Sequence, residues 1–187
     1  MWECGKKGYQ VLGMIARNFT SKKSSIIIKL YKSLVRPHLD YCIQAWRPHL
    51  QKDKDVLEGV QRRATRMIDE CEGMRYVERL RVVKLTTLET RRRRADLVEL
   101  FKILNGFVNV DERVYVERSG TIGSITTRGH TGKLFKKRVE SDIAKFSFGN
   151  RVVDDWNRLP NSVVVSGSLG IFKGGVDKWL RHAGGFG

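Results

Sequence analysis

The stretch that decides the fold is residues 55–70, DVLEGVQRRATRMIDE. At about 100° per residue, its apolar side chains share one helical arc of about 120°; they are Val56, Leu57, Val60, Ala64, Met67 and Ile68. Arg62, Arg63 and Arg66 align on one flank over about two turns. The stretch therefore predicts an amphipathic helix with a guanidinium ridge. Such a ridge either follows a phosphate backbone or is a solvated helix face, and its pattern leaves both readings open.

Helical spacing continues on both sides of this stretch. Apolar residues three and four positions apart predict further helices, at residues 6–18, 26–46, 76–83, 87–105, 151–159 and 168–181. Pro37 is expected to kink or break the second of these. Gly174 and Gly175 weaken the last by about 2 kcal/mol relative to alanine.

A short β segment is predicted among these helices. Residues 133–139 alternate, with Phe135 and Val139 on one side and Leu134 on the other, and residues 143–148 alternate as well. With residues 140–142 as the turn, this pattern predicts a basic β-hairpin. The expected fold is mainly α, a helical bundle followed by a small α+β region with one β-hairpin and two terminal helices.

Glycine-rich composition and the Asn105-Gly106 stop signal set the expected domain boundaries. We expect a helical domain at residues 1–106, a loop or linker at 107–132, a hairpin-plus-helices region at 133–183 and a disordered tail at 184–187.

The charge of the chain points to a polyanionic partner. Its 187 residues include 36 Lys and Arg and 20 Asp and Glu, a formal net charge of +16. Residues 1–105 carry 23 basic and 12 acidic side chains (+11), and residues 106–187 carry 13 and 8 (+5). An excess of this size attracts nucleic acid, the usual polyanion. Residues 1–105 are thus the better candidate for a surface that faces phosphates. The alternative is that the chain is a soluble basic protein and its charge has no such partner.

Composition also excludes several classes of protein. Hydrophobic residues make up 41% of the chain, close to the globular average, so disorder throughout is not expected. The longest apolar runs are far shorter than the roughly 20 residues of a spanning helix. The first residues lack the pattern of a signal peptide. We therefore expect an intracellular protein, nuclear or cytoplasmic, without membrane contact and not secreted.

No motif for catalysis or metal binding is present. Cys4, Cys42 and Cys71 lie far apart and form no C-x-x-C. We therefore expect free thiols, and we expect neither a metal nor another cofactor. Asp154 and Asp155 are adjacent on a predicted helix and diverge by about 100°, whereas two-metal chemistry needs converging carboxylates. This chain alone is not expected to be an enzyme.

Three basic clusters are the candidate nucleic-acid contacts. They are Arg62, Arg63 and Arg66; Arg91, Arg92 and Arg94; and Lys136, Lys137 and Arg138. Four consecutive helical residues span about 300°, so the run at 91–94 cannot share one face. Arg93 and Arg94 point towards the apolar side and must snorkel or meet an anion. Tyr31, Tyr41 and Trp46 could stack on bases, although their spacing also suits a core.

Six phrases in order carry a resemblance to a known family. They are QVLGMIARNF (10–19), LYKSLVRPHLDYCIQAWRPH (30–49), LEGVQRRATRMI (57–68), LTTLETRRRRADLVELFKILNG (85–106), RGHTGKLFKKR (128–138) and KFSFGNRVVDDWNRLP (145–160). This ordered set resembles the C-terminal part of reverse transcriptases from non-LTR retrotransposons of the jockey and chicken-repeat type. The likeness extends over about residues 5–182.

The resemblance implies a fold and a role. In that family this region follows the polymerase palm, is thumb-like and helical, and is implied to grip the template–primer duplex. The family's catalytic F-A-D-D motif does not occur here, so the resemblance implies a fragment whose Mg²⁺ would belong to the missing palm. The implied partners are RNA, DNA or a hybrid duplex, contacted through phosphates, and possibly the palm itself. Arg93 and the glycines at 174 and 175 depart from the family and hint at a decaying copy.

Three functional hypotheses follow. The first is a detached thumb and C-terminal region that binds nucleic-acid backbone without sequence preference. The second is a reused helical module that reads DNA bases, for which the ridge helix offers only Gln61. The third is an inactive structural remnant of a decayed element.

Overall fold

The computed structural model describes residues 2–41, 47–119 and 132–183. The chain divides into two compact units. Unit 1 comprises Met1–Cys42 with Pro48–Arg91, and unit 2 comprises Ile43–Arg47 with Arg92–Gly187. Helices dominate both, and the described residues form one two-stranded antiparallel sheet, which confirms the predicted fold class.

Unit 1 is a bundle built around two long helices. Its elements are α1 (Trp2–Asn18), α2 (Ser24–Leu30), α3 (Arg36–Asp40), α4 (Gln51–Arg66), α5 (Tyr76–Val82) and the start of α6 (Leu88–Leu104). Helices α1 and α4 run in the same direction, because Gly5 faces Leu57 and Gly8 faces Val60. A Cβ at Gly8 would lie 3.2 Å from Val60, so glycine permits the close approach.

A π-helix at Tyr31–Val35 joins α2 to α3. Pro37 was expected to kink or break this helix, and it accounts for the change in winding because it lacks the N–H that an α-helical bond needs. The Arg36 N–H instead bonds the carbonyl of Tyr31. The wider turn places Tyr31 and Val35 in the core, where both are fully buried.

The ridge helix α4 begins and ends earlier than its apolar periodicity predicts. It starts at Gln51, because the polar residues 51–54 continue the helix without contributing to the apolar stripe. It ends at Arg66, and Ile68 adopts extended backbone angles (φ −92°, ψ 122°) while remaining in the core.

Unit 2 packs the rest of α6 against the C-terminal helices. Its further elements are β1 (Glu117–Arg118), β2 (Leu134–Phe135), α7 (Asp142–Lys145), α8 (Phe148–Asn157), α9 (Asn161–Val164) and α10 (Leu169–Ala183). Phe101 of α6 stacks on Phe172 at 4.1 Å between ring centroids, and Trp156 lies 5.9 Å from Phe172. This packing makes most of α6 part of unit 2, so the domain boundary expected at residue 106 is wrong.

The strand partner predicted for residues 133–139 is also wrong. Strand β2 pairs with β1, in the register Glu117↔Phe135 and Arg118↔Leu134. The predicted second strand is the helical turn α7, because the Ser141 hydroxyl accepts the Ala144 N–H and caps a helix there.

The two side chains of β2 differ in burial, on opposite faces as the alternation predicts. Leu134 is buried, whereas Phe135 is exposed. The side-chain amide of Asn157 accepts the Leu134 N–H at 2.9 Å and donates to the Leu134 carbonyl at 2.8 Å. Asn157 thus covers the free edge of β2 and turns Leu134 inwards.

Arg93 and Gly175 each have a packing role within unit 2. Arg93 bonds both oxygens of Asp155 at 2.7 and 2.8 Å, and its guanidinium lies over the Trp179 ring. A Cβ at Gly175 would lie 2.8 Å from Val163, so this glycine lets α10 approach α9.

Of the predicted linker, residues 107–119 include β1 and a 3₁₀ turn at Glu112–Val114, while residues 120–131 and the tail at 184–187 lie outside the described residues.

Candidate nucleic-acid interface

The arginine ridge of α4 lies on the surface of unit 1. Arg62, Arg63 and Arg66 are all exposed, as their helical positions predict. None of the three forms an ion pair with a described residue. Their positive charge is therefore not neutralised within the described part of the chain, which is the condition for attracting phosphates.

Two tyrosines hold part of this ridge in place. The Arg62 guanidinium lies 5.3 Å from the centre of the Tyr76 ring, and that of Arg63 lies 5.9 Å from the Tyr9 ring. Arg79 lies over Tyr76 as well, at 5.6 Å. Contacts of this kind restrict a guanidinium and leave its N–H donors available, so the ridge is partly ordered before any ligand arrives.

The buried side of α4, next to the ridge, carries a polar network. Gln61 accepts the Tyr31 hydroxyl at 2.7 Å and donates to the Tyr76 hydroxyl at 2.9 Å and the Thr86 carbonyl at 3.0 Å. Glu58 accepts the Tyr76 hydroxyl and the Leu88 N–H, and so caps the first turn of α6. This network fixes the rotation of α4 and therefore the direction in which the ridge faces.

The tyrosine hydroxyls of the network stay protonated. Burial raises the pKa of Tyr31 well above its ordinary value, and the charges of Asp40 and Glu58 raise it further. Burial and the nearby Glu58 carboxylate likewise raise the pKa of Tyr76. Both hydroxyls therefore remain hydrogen-bond donors across the ordinary pH range.

Base readout by Gln61 is contradicted by its position. Its side chain is 1% exposed and is hydrogen-bonded to four partners within unit 1. It cannot reach a base edge without breaking these bonds, each of which would leave a buried polar group unsatisfied.

The arginines at 91–94 are engaged by partners within the protein or are buried. Arg91 bonds Asp40, and Arg94 bonds both oxygens of Asp177. Arg92 is 1% exposed. The predicted role of Arg91, Arg92 and Arg94 as phosphate contacts loses support, because two are neutralised by carboxylates and the third is buried.

The cluster at 136–138 is only partly available. Lys136 pairs with Asp154 and Lys137 with Glu117, and these lysines are about half exposed. Surface pairs of this kind are weak and exchange readily. Arg138 is exposed and forms no ion pair with the described residues. This cluster is therefore a weaker candidate for phosphate binding than the α4 ridge.

Ion pairing, more than total charge, distinguishes the two units. Each unit contains 18 basic and 10 acidic side chains, a formal charge of +8, so the expected excess in the first part disappears with the observed boundary. Unit 2 holds most of the described ion pairs, among them those of Arg47, Arg93, Arg94, Lys102, Arg113, Arg118, Lys136, Lys137 and Arg151. In unit 1 such pairs involve Arg36, Lys54 and Arg91.

The aromatic candidates divide three ways. Tyr31 is a core residue, Tyr41 is 69% exposed, and Trp46 lies outside the described residues. The tyrosines that contact the ridge, Tyr9 and Tyr76, were missed. Tyr9 falls within the apolar spacing of residues 6–18, which favours a core position, and nothing near Tyr76 in the sequence indicates that it meets Arg62.

The two adjacent aspartates of α8 both form ion pairs with basic side chains. Asp154 pairs with Lys136 and Asp155 with Arg93. Across residues 2–41, 47–119 and 132–183, no group of three or more His, Cys, Asp or Glu is placed to hold a metal ion. Cys4 and Cys71 are free thiols, and Cys42 lies outside the described residues. None of the helices described is both long enough and apolar enough to cross a bilayer.

Comparison with protein-family models, curated proteins and solved structures gave no significant match.

Proposed function

We propose that this chain is the thumb-like, post-palm region of a non-LTR retrotransposon reverse transcriptase, and that it binds nucleic acid through the phosphate backbone. The family assignment rests on the six ordered phrases of the sequence. The binding assignment is supported chiefly by one observation, the three exposed and unpaired arginines on a rigidly held α4.

Backbone binding is favoured over base reading. The ridge offers guanidinium groups, which suit phosphates, whereas Gln61, the amide considered for base reading, is buried. Binding should therefore be insensitive to sequence and fall steeply with salt. Bond formation is assigned to a palm, so this chain should not extend a primer when given template, dNTPs and Mg²⁺.

Fluorescence anisotropy with a labelled DNA duplex and a labelled RNA–DNA hybrid tests this function. The triple variant Arg62→Gln, Arg63→Gln, Arg66→Gln should weaken binding by about tenfold or more at moderate salt. The matched control removes the same charge from unit 2, with Lys136→Gln, Lys137→Gln, Arg138→Gln, and should have a much smaller effect.

The alternatives predict different results. Marked preference among unrelated competitor duplexes would favour the base-reading module. A folded chain that ignores both nucleic acids at low salt would favour the inactive remnant. Equal losses in the two triple variants would show that binding follows total charge and not the α4 ridge.

A further inference from the structure

A cavity lies beside the α4 ridge in unit 1. Lys6, Tyr9 and Gln10 of α1 and Val56 of α4 line it, and its volume is about 580 Å³. That volume falls within the range of about 300–1,000 Å³ typical of small-ligand sites. The described part of its lining combines an aromatic ring, an aliphatic side chain, an amide and an ammonium group.

The Tyr9 ring connects this cavity to the ridge. It lines the cavity and also lies beneath the Arg63 guanidinium. Gly59 makes its position possible, because a Cβ there would lie 2.5 Å from the Tyr9 hydroxyl oxygen. A flat ring held against α4 therefore adjoins an exposed cation that has no carboxylate partner among the described residues.

This combination suits a nucleotide whose base is unpaired. The ring offers a stacking surface, Gln10 offers a donor and an acceptor, and Lys6 and Arg63 offer charge for phosphates. A base inside a duplex is already stacked on both sides and cannot enter a pocket without leaving the helix. An unpaired base can enter at no such cost.

We propose that the Tyr9 cavity binds an unpaired base of a single-stranded stretch, while Arg63 and Lys6 contact its phosphates. This inference rests on the proposed function, because Arg63 belongs to both surfaces. It adds a preference for a junction between duplex and single strand, which a ridge of arginines alone does not provide.

The test compares two labelled probes by fluorescence anisotropy. Both are the same duplex, one with a single-stranded thymidine extension and the other with an abasic extension of equal length. The two probes carry equal phosphate charge, so any difference in affinity reports on the bases. Stacking of one base on Tyr9 should make the thymidine probe bind about 5- to 150-fold more tightly.

Variants separate the ring from the fold. In Tyr9→Leu the affinity ratio of the two probes should fall close to one, whereas Tyr9→Phe, which keeps the ring, should preserve it. Gly59→Ala should lower the ratio because its methyl group displaces the ring. Tyr115→Leu, which replaces a tyrosine on the surface of unit 2, is the matched control and should preserve the ratio.

Two results would overturn this inference alone. One is equal affinity of the unmodified chain for the two probes, and the other is a thymidine preference that survives Tyr9→Leu. Failure to bind either probe at low salt would overturn the proposed function together with this inference.

Discussion

Replacing Asp96 by alanine should destabilise unit 2 by about 3–5 kcal/mol, the usual cost of breaking a buried ion pair. The Asp96 side chain is 2% exposed. It accepts one bond from Arg47 at 2.9 Å and two from Arg151 at 2.9 and 3.0 Å. The side chains of Arg47 and Arg151 are 13% and 9% exposed, so both guanidinium groups would stay largely buried after losing this carboxylate.

Asp177→Ala provides the matched control. Arg94 bonds both oxygens of Asp177, yet the two side chains are 35% and 45% exposed. Water replaces such a contact readily, so the expected loss is at most about 1 kcal/mol. The comparison therefore isolates burial as the cause of the larger effect.

Urea denaturation followed by tryptophan fluorescence measures both losses, since Trp156 lies in the core of unit 2. The free energy of unfolding should fall several-fold more for Asp96→Ala than for Asp177→Ala. If Asp96→Ala lost no more stability than Asp177→Ala, the argument that burial makes the ion pairs of Asp96 strongly stabilising would be refuted.

Three further predictions concern packing, a buried hydroxyl and pH. Gly175→Ala should lower the free energy of unfolding by about 1–3 kcal/mol, because the new Cβ would meet Val163 at 2.8 Å. Gly174→Ala should instead stabilise α10 by up to about 1 kcal/mol, because nothing lies within 4 Å of a Cβ at that position. Thermal unfolding of the two variants compares these effects. Tyr31→Phe removes the hydroxyl that donates to Gln61, so the free energy of unfolding measured in urea should fall by about 1–2 kcal/mol. An unchanged free energy of unfolding would contradict a stabilising role for the buried network around Gln61. The hydrogen bond from Arg118 lowers the pKa of Glu112 below its ordinary value. Its stabilising effect is therefore present above the unfolded-state pKa and is lost as the pH falls through the folded-state pKa. NMR titration should find a higher pKa for Glu112 in Arg118→Gln, and an unchanged pKa would contradict this cause.

Most helices could be predicted because each has an amphipathic pattern that depends only on neighbouring residues. The β pairing could not, because β2 is two residues long and its partner precedes it by more than a dozen residues. Alternation over so short a segment does not distinguish strands from the helical turn that Ser141 begins. The boundary between units was misjudged because Gly106 ends α6 but does not mark where its packing partners change.

The candidate site was predictable only where exposure follows from helix geometry. Arg62, Arg63 and Arg66 lie on the flank that the apolar arc predicts. The roles of Arg91 and Arg94 depend on carboxylates 51 and 83 residues away, so sequence-local reasoning could not find them.

The salt dependence of binding tests the central claim most directly. The slope of the logarithm of the association constant against the logarithm of salt concentration reports the number of phosphates neutralised, at about 0.9 per phosphate for duplex DNA. If Arg62, Arg63 and Arg66 each contact one phosphate, replacing all three by glutamine should reduce the magnitude of the slope by about 2.7. The Lys136, Lys137 and Arg138 triple variant should change it by less than about 1. Equal slopes for the unmodified chain and the α4 variant would contradict the account.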